Sequence, residues 1–114
     1  MAECIFCKIV RGEVPSQIVF ESERVIAFRD INPQAPVHIL LVPKKHINPM
    51  ERLDEGDAQV VTDIFLAAKE IASKEGIANR GFRLISNIGT EAGQEIEHLH
   101  FHLLGGKKLP GLLG

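Results

Sequence analysis

Three histidines alternate with large apolar residues in His98-Leu99-His100-Phe101-His102, and Leu103-Leu104-Gly105-Gly106 follows. In a β-strand successive side chains point to opposite faces, so a period of two places all three imidazoles on one side. Leu99, Phe101 and Leu103 then face the other way, into a core. Packing gives little reason to arm one face of a strand with three rings that titrate near neutrality. Chemistry does: neutral imidazole is a good attacking group that can itself leave, and it accepts and donates protons near pH 7.

A second constellation lies at the other end of the chain, where Cys4 and Cys7 are three residues apart. On a helical turn this spacing brings both sulfurs to one side. Two thiolates and two imidazoles make a closed tetrahedral zinc site. Of the five histidines (38, 46, 98, 100 and 102), His46 and His98 complete that set. Spending His100 or His102 on the metal leaves the chemistry short of a ring. The zinc is then structural, it pins the N-terminal segment to the sheet, and no catalytic metal is expected. Two small buried thiols and a redox pair are the competing readings, although the βαβ context of a thioredoxin-like pair is absent. A metal held jointly by His98, His100 and His102 is a further alternative. Neighbours on one strand face are about 7 Å apart at Cα, so three converge on one ion only with bending or long reach.

Positioning these rings takes a sheet. Cys4 to Arg11 reads as a short helix, ended by Gly12 and Pro15. Ile18-Val19-Phe20 and Val25-Ile26-Ala27-Phe28 read as strands, with Glu21-Ser22-Glu23-Arg24 as the hairpin turn between them. Asn32-Pro33 and Ala35-Pro36 stiffen the loop from Asp30 to Pro36. Val37 to Val42 is a buried strand closed by Pro43. The one long helix runs near Glu55 to Lys74, with Asp54 as its cap, Asp57 favourable in its first turn and Gly76 at its end. Val60, Val61, Ile64, Phe65, Ala68, Ile71 and Ala72 recur at helical spacing as one apolar stripe. Gly81 to Asn87 is another strand, a loop runs to Glu95, and the histidine strand finishes the sheet. The order predicts an α+β fold: a five-stranded antiparallel meander sheet with a short N-terminal helix and one long central helix on one face.

With 114 residues the chain is one domain, 1–114, with room for a core. A formal net charge of −2 offers no basic footprint for nucleic acid. No apolar run approaches the roughly 18 residues of a membrane span. Neither nucleic acid nor a membrane is therefore an expected partner. Met1-Ala2-Glu3-Cys4 lacks the basic and apolar regions of a signal peptide, which makes the cytoplasm the expected compartment. In that reducing setting a close cysteine pair reads as a metal or redox site before it reads as a disulfide.

Taken together, these residues resemble the histidine-triad superfamily. His98-Leu99-His100-Phe101-His102-Leu103-Leu104 matches its His-x-His-x-His-x-x signature with x apolar. Cys4-Ile5-Phe6-Cys7-Lys8-Ile9-Val10, the run Phe28-Arg29-Asp30-Ile31-Asn32-Pro33-Gln34-Ala35-Pro36-Val37-His38, Val42-Pro43-Lys44-Lys45-His46-Ile47 and Gly93-Gln94 are similar to the Hint branch of nucleoside phosphoramidases. The likeness covers nearly the whole chain, from about Glu3 to Gly106.

The resemblance implies a homodimer whose two sheets join into one. It implies cleavage of purine nucleoside 5′-phosphoramidates and aminoacyl-adenylates to the nucleoside monophosphate. His100 matches the histidine that attacks the α-phosphorus and becomes nucleotidylated, and water then releases the product. His102 and Asn87 match residues at the phosphate, and His38 matches a histidine beside the active site. Gly93, Gln94 and Glu95 occupy the phosphate-binding segment, and Asp30 matches the carboxylate that holds the ribose hydroxyls. Ile5, Phe6, Ile9, Phe28, Ile31 and Leu40 fall where relatives line the base pocket. Some relatives bind zinc through a Cys-x-x-Cys pair, a downstream histidine and the first triad histidine, in agreement with Cys4, Cys7, His46 and His98.

The chemistry is self-consistent beside that likeness. A nucleophilic imidazole needs its other ring nitrogen to hold a proton against an acceptor, and a backbone carbonyl suffices. Charge on the non-bridging oxygens calls for fixed donors, which Asn87, a second histidine and amides of residues 89–94 can supply. One departure is Glu95, where many Hint proteins carry a serine; an ionised carboxylate cannot donate to phosphate, so Glu95 enters only through its amide. The C-terminal tryptophan of some relatives is also missing, so Lys107 to Gly114 shapes the pocket differently. Phe6, Ile9, Phe28 and Leu40 read equally well as plain core, and Asp30 as a turn former before Asn32-Pro33. A nucleotide-binding module with little turnover is the alternative from another class.

Overall fold

The computed structural model describes residues 4–111. The leader reading of residues 1–3 and the end of the tail, 112–114, lie outside the described residues. The first element is α1 (Ile5–Val10), with Cys4 at its N-cap and Arg11 at its C-cap. It stops because Gly12 takes φ +76°, a left-handed conformation that glycine adopts without steric cost. The amides of Gly12 and Glu13 then reach back to the carbonyls of Ile9 (3.0 Å) and Lys8 (2.9 Å).

Strands β1 (Ile18–Glu21) and β2 (Val25–Arg29) form the expected hairpin, and β3 (Val37–Pro43) pairs antiparallel to β2. Asp54 caps the next element as expected, but that element is a 3₁₀ turn, Glu55–Asp57, which leads into α2 (Ala58–Lys74). The Asp54 carboxylate accepts from the Gly56 amide (2.9 Å), and the Asp57 carboxylate accepts from the Asp54 amide (3.2 Å). This reciprocal box satisfies donors that a helix start leaves open. The chain continues through β4 (Arg83–Ile85) and a 3₁₀ turn at Thr90–Ala92 to β5 (Phe101–Gly105).

All five strands form one antiparallel sheet in the order β1-β2-β3-β5-β4. The meander therefore holds only through β3, because β5 inserts between β3 and β4. β3 is buried along its whole length and pairs with all five residues of β5, whereas β4 has only three residues. The longer strand fills the interior slot, and the short one suits the edge, where unpaired backbone is a liability. β4 is also shorter than the expected Gly81 to Asn87. Beyond Ile85 the ladder gives way to a side-chain bond, with the Ser86 hydroxyl donating to the His100 carbonyl at 2.8 Å. Asn87 is thereby left in a loop.

Alternation sorts β2 and β3 onto two faces. Val25, Ala27, Val37, Ile39 and Leu41 pack with Val60, Ile64, Ala68 and Ile71 of α2 and with Leu99 and Leu103. Ile26, Phe28, Leu40 and Val42 pack on the opposite face against Phe6 and Ile9 of α1. Phe65 corrects the predicted stripe: it is 56% exposed, while Ala67 is buried. The stripe centres on Val60, Ile64, Ala67, Ala68 and Ile71, and Phe65 lies about 100° around the helix from Ile64. From that rim it meets Phe101 edge-on, at 6.1 Å between ring centres.

Candidate active site

The histidine segment has the predicted facing but not the predicted strand. β5 begins at Phe101, so only His102 belongs to it; His98 lies on a bend and His100 on the unladdered chain just ahead. That chain is held by the Leu99 amide on the Ile47 carbonyl (2.7 Å) and by Ser86 on the His100 carbonyl. Leu99 and Leu103 still enter the α2-side core, with Phe101 packed against it. The imidazoles face the α1 side, where the Phe6 ring meets His98 and His100 edge-on at 5.7 and 5.1 Å.

Backbone groups assign the tautomers of this cluster. His100 Nδ1 donates to the His98 carbonyl at 2.8 Å, which leaves a lone pair on Nε2. His98 Nε2 donates to the Pro43 carbonyl at 2.8 Å, which leaves the lone pair on Nδ1. The Gln34 amide donates to His38 Nδ1 at 3.0 Å, so His38 carries its proton on Nε2. That proton faces His102 Nδ1 at 2.9 Å and the Asp30 carboxylate at 3.4 Å. His102 consequently carries its own proton on Nε2. Burial favours these neutral rings: it lowers the pKa of His38, and it lowers that of His102 together with the neighbouring His100 and His38. Burial pushes His98 down to about 4.

Two groups of side chains have metal-ligand spacing among the described residues: Cys4, Cys7, His46 and His98, and Asp30, His38 and His102. The second does not fit an ion. The Gln34 amide occupies His38 Nδ1, so Nε2 holds a proton where a ligand lone pair is needed. The first group fits. Cys4 Sγ lies 3.3 Å from His98 Nδ1, and Cys7 Sγ lies 3.3 Å from His46 Nδ1 and 3.7 Å from His98 Nδ1. A tetrahedral zinc site has sulfur–nitrogen edges of roughly 3.5 Å. The Pro43 carbonyl takes the far N–H of His98, as outer partners do for metal-bound imidazoles. This cluster could hold a metal ion.

A cleft of about 570 Å³ opens on the α1 side of the sheet. Its apolar wall includes Ile5, Phe6, Ile9, Phe28 and Leu40, and its polar end holds Asp30, Asn87, Gly93, Glu95, His100 and His102. Ile31 stands at the mouth, 98% exposed. Asp30 acts as a turn former through one oxygen, which accepts from the Asn32 amide at 2.8 Å, and its other oxygen faces His38. Arg29 also lines the cleft, but its guanidinium is paired through two bonds, 3.0 and 2.9 Å, with Glu75.

The loop before the triad departs from expectation in how it spends its amides. Gly89 donates to the Gln94 side chain (2.7 Å), Ala92 and Gln94 to the Gly89 carbonyl, and Gly93 to the Thr90 carbonyl. The Gln94 side chain closes the loop, also donating to the Ile96 carbonyl at 2.9 Å, and does not line the cleft. Among the described residues, the Glu95 amide and the Asn87 side chain are without hydrogen-bond partners. Sequence reading missed Val14, Pro15, Ser16 and Ile96 on the cleft wall, and the backbone groups of Gln34 and Pro43. A backbone amide or carbonyl carries no residue-type signal. Ser16 Oγ is a buried side-chain atom with no partner among the described residues.

Comparison with known proteins agrees with this geometry. The family model for the HIT domain matches residues 11–109. The chain is 46% identical over 111 residues to a purine nucleoside phosphoramidase of Escherichia coli, covering 97% of this chain and 93% of that protein. It is similar to the structure of a HIT family hydrolase from Legionella pneumophila, with a TM-score of 0.94 and 44% identity over 98% of this chain and all of that one. It is also similar to a histidine triad protein from Clostridium difficile, at TM-score 0.91 and 48% identity over 97% and 98% of the two chains. Imidazoles in alternation, a sheet order with the triad strand inside, and these matches over nearly full length lead to one assignment: the chain belongs to the HIT domain family.

Proposed function

We propose that this protein is a purine nucleoside phosphoramidase, active on nucleoside 5′-phosphoramidates and aminoacyl-adenylates through a nucleotidyl intermediate on His100. The observation that carries this reading is the 2.8 Å bond from His100 Nδ1 to the His98 carbonyl, which leaves Nε2 unprotonated on the floor of the cleft. Nε2 attacks the α-phosphorus and the bond to the leaving amine or acyl group breaks. Water then attacks phosphorus, frees His100 and releases the monophosphate. Splitting one substitution into two easier ones is the benefit of a covalent carrier.

In this reading His102 Nε2–H, the Asn87 side chain and the Glu95 amide hold the non-bridging oxygens, and His38 fixes the His102 tautomer. Gly93 and Gln94 shape the loop that aims the amide. Asp30 takes the ribose hydroxyls, and Phe6, Ile9, Phe28 and Leu40, with Ile31 at the mouth, enclose the purine. The donors are neutral, as suits a cleft whose arginine is already paired.

The same reading places structural zinc on Cys4, Cys7, His46 and His98, where four protein ligands leave no open position for catalysis. It includes a single catalytic domain over residues 1–114 and a homodimer. The short edge strand β4 and the exposed Phe65, Leu66 and Phe82 support a second copy as partner. A cytoplasmic site of action is supported by the two cysteines, which are not joined in a disulfide. Among the described residues no helix is long and apolar enough to cross a membrane.

Mass spectrometry of protein quenched with an adenosine phosphoramidate tests the mechanism. The wild type gains the mass of one nucleotidyl group, and His100→Ala does not. Turnover in His100→Ala at the wild-type rate would remove the covalent step.

A further inference from the structure

We propose that the Cys4/Cys7/His46/His98 cluster is coupled to the nucleotide cleft, so that a metal ion in it tightens nucleotide binding and nucleotide tightens metal binding equally. This rests on the nucleotide reading of the cleft given above.

The coupling has two physical routes. The first is α1, whose six residues have no side-chain cap and are too few to hold a helix unaided. Cys4 and Cys7 place it on the cluster, while Ile5, Phe6 and Ile9 form one wall of the cleft. An ion that ties both sulfurs to His46 and His98 therefore fixes that wall. A purine that stacks on the wall binds the fixed form better than the loose one.

The second route is His98 itself. It is fully buried, and its ring nitrogen Nδ1 belongs to the cluster while its carbonyl holds the nucleophile's Nδ1–H. Phe6 spans both ends of this link, edge-on to His98 and to His100. Any shift of His98 toward or away from the sulfurs moves the carbonyl that sets the His100 tautomer.

Coupling between two sites is reciprocal, so the two affinities must change by one factor. We expect about tenfold, equivalent to about 1.4 kcal/mol. Two binding titrations measure it without turnover: AMP into zinc-loaded and chelator-stripped protein, and zinc against a chromogenic chelator with and without AMP. Matching factors of about tenfold support the proposal. Equal AMP affinity for loaded and stripped protein overturns it and leaves the nucleotide reading standing. Failure of the loaded protein to bind AMP overturns that reading, and the coupling with it. If stripping unfolds the protein, as seen by circular dichroism, Phe6→Leu decides. A smaller AMP effect on zinc affinity in that variant supports the coupling through α1, and an unchanged effect overturns it.

Discussion

The carbonyl oxygen of His98 accepts from Nδ1 of His100 at 2.8 Å, while His98 turns its own Nδ1 toward Cys4 at 3.3 Å. One residue thus serves two sites, by its backbone on one side and its ring on the other. A histidine side chain is needed for the sulfur cluster, but any residue could supply the carbonyl. The triad's first histidine accordingly fixes the His100 ring with its carbonyl and offers its own Nδ1 to the sulfur cluster.

His38 should matter to turnover through His102. In His38→Ala the imidazole of His102 loses the proton facing its Nδ1 and is free to take the opposite tautomer. Steady-state kinetics with an adenosine phosphoramidate should show kcat reduced about 10- to 100-fold, with KM little changed, because His38 does not line the cleft. An unaltered kcat would mean that His102 keeps its orientation without the relay.

Cys4→Ala should cost several kcal/mol of stability, since metal binding at such a site is coupled to folding. Denaturant unfolding with and without chelator checks this. Chelator should bring the wild type down toward the variant and leave the variant where it is. Coincident curves for all four samples would show that the cluster holds no stabilising ion.

Stability should fall on acidification. His38 and His102 titrate at an ordinary 6.5 in the unfolded chain and lower in the fold, chiefly because they are buried. Between those values the unfolded chain binds more protons, so lowering the pH favours it. The stabilisation is fully present above pH about 6.5. It shrinks as pH drops below that, and the loss is complete once the folded rings are protonated. Melting temperature measured from pH 7.5 to pH 5 should decline, and the slope should flatten in His102→Asn. A flat wild-type profile would contradict the buried neutral rings.

Ser16→Ala should raise stability by about 1 kcal/mol, because it removes a buried hydroxyl that lacks a partner. Thermal unfolding of the free protein measures the change. A loss of stability would mean that ordered water satisfies Ser16 Oγ.

Much of the site is legible from residue types. Alternation alone separates His98, His100 and His102 from Leu99, Phe101 and Leu103, because side-chain facing along a strand has a period of two, and the residues just ahead of β5 keep that facing. The Cys4/Cys7 spacing predicts the shared direction of two sulfurs, because a single helical turn is a local geometry. Gly12 and Gly76 mark both helix ends, where each adopts φ +76°.

Tertiary structure decides what local spacing cannot. Sheet order depends on which strand fills the slot beside β3, and that competition between β4 and β5 is fought over segments distant in sequence. Phe65 shares the helical period of the stripe, yet the position of the sheet beneath α2 leaves it outside. The tautomers of His98, His100 and His38 hang on carbonyls and an amide of Pro43, His98 and Gln34, groups that every residue carries alike. The sequence names the imidazoles; only the folded backbone determines which nitrogen of each is bare.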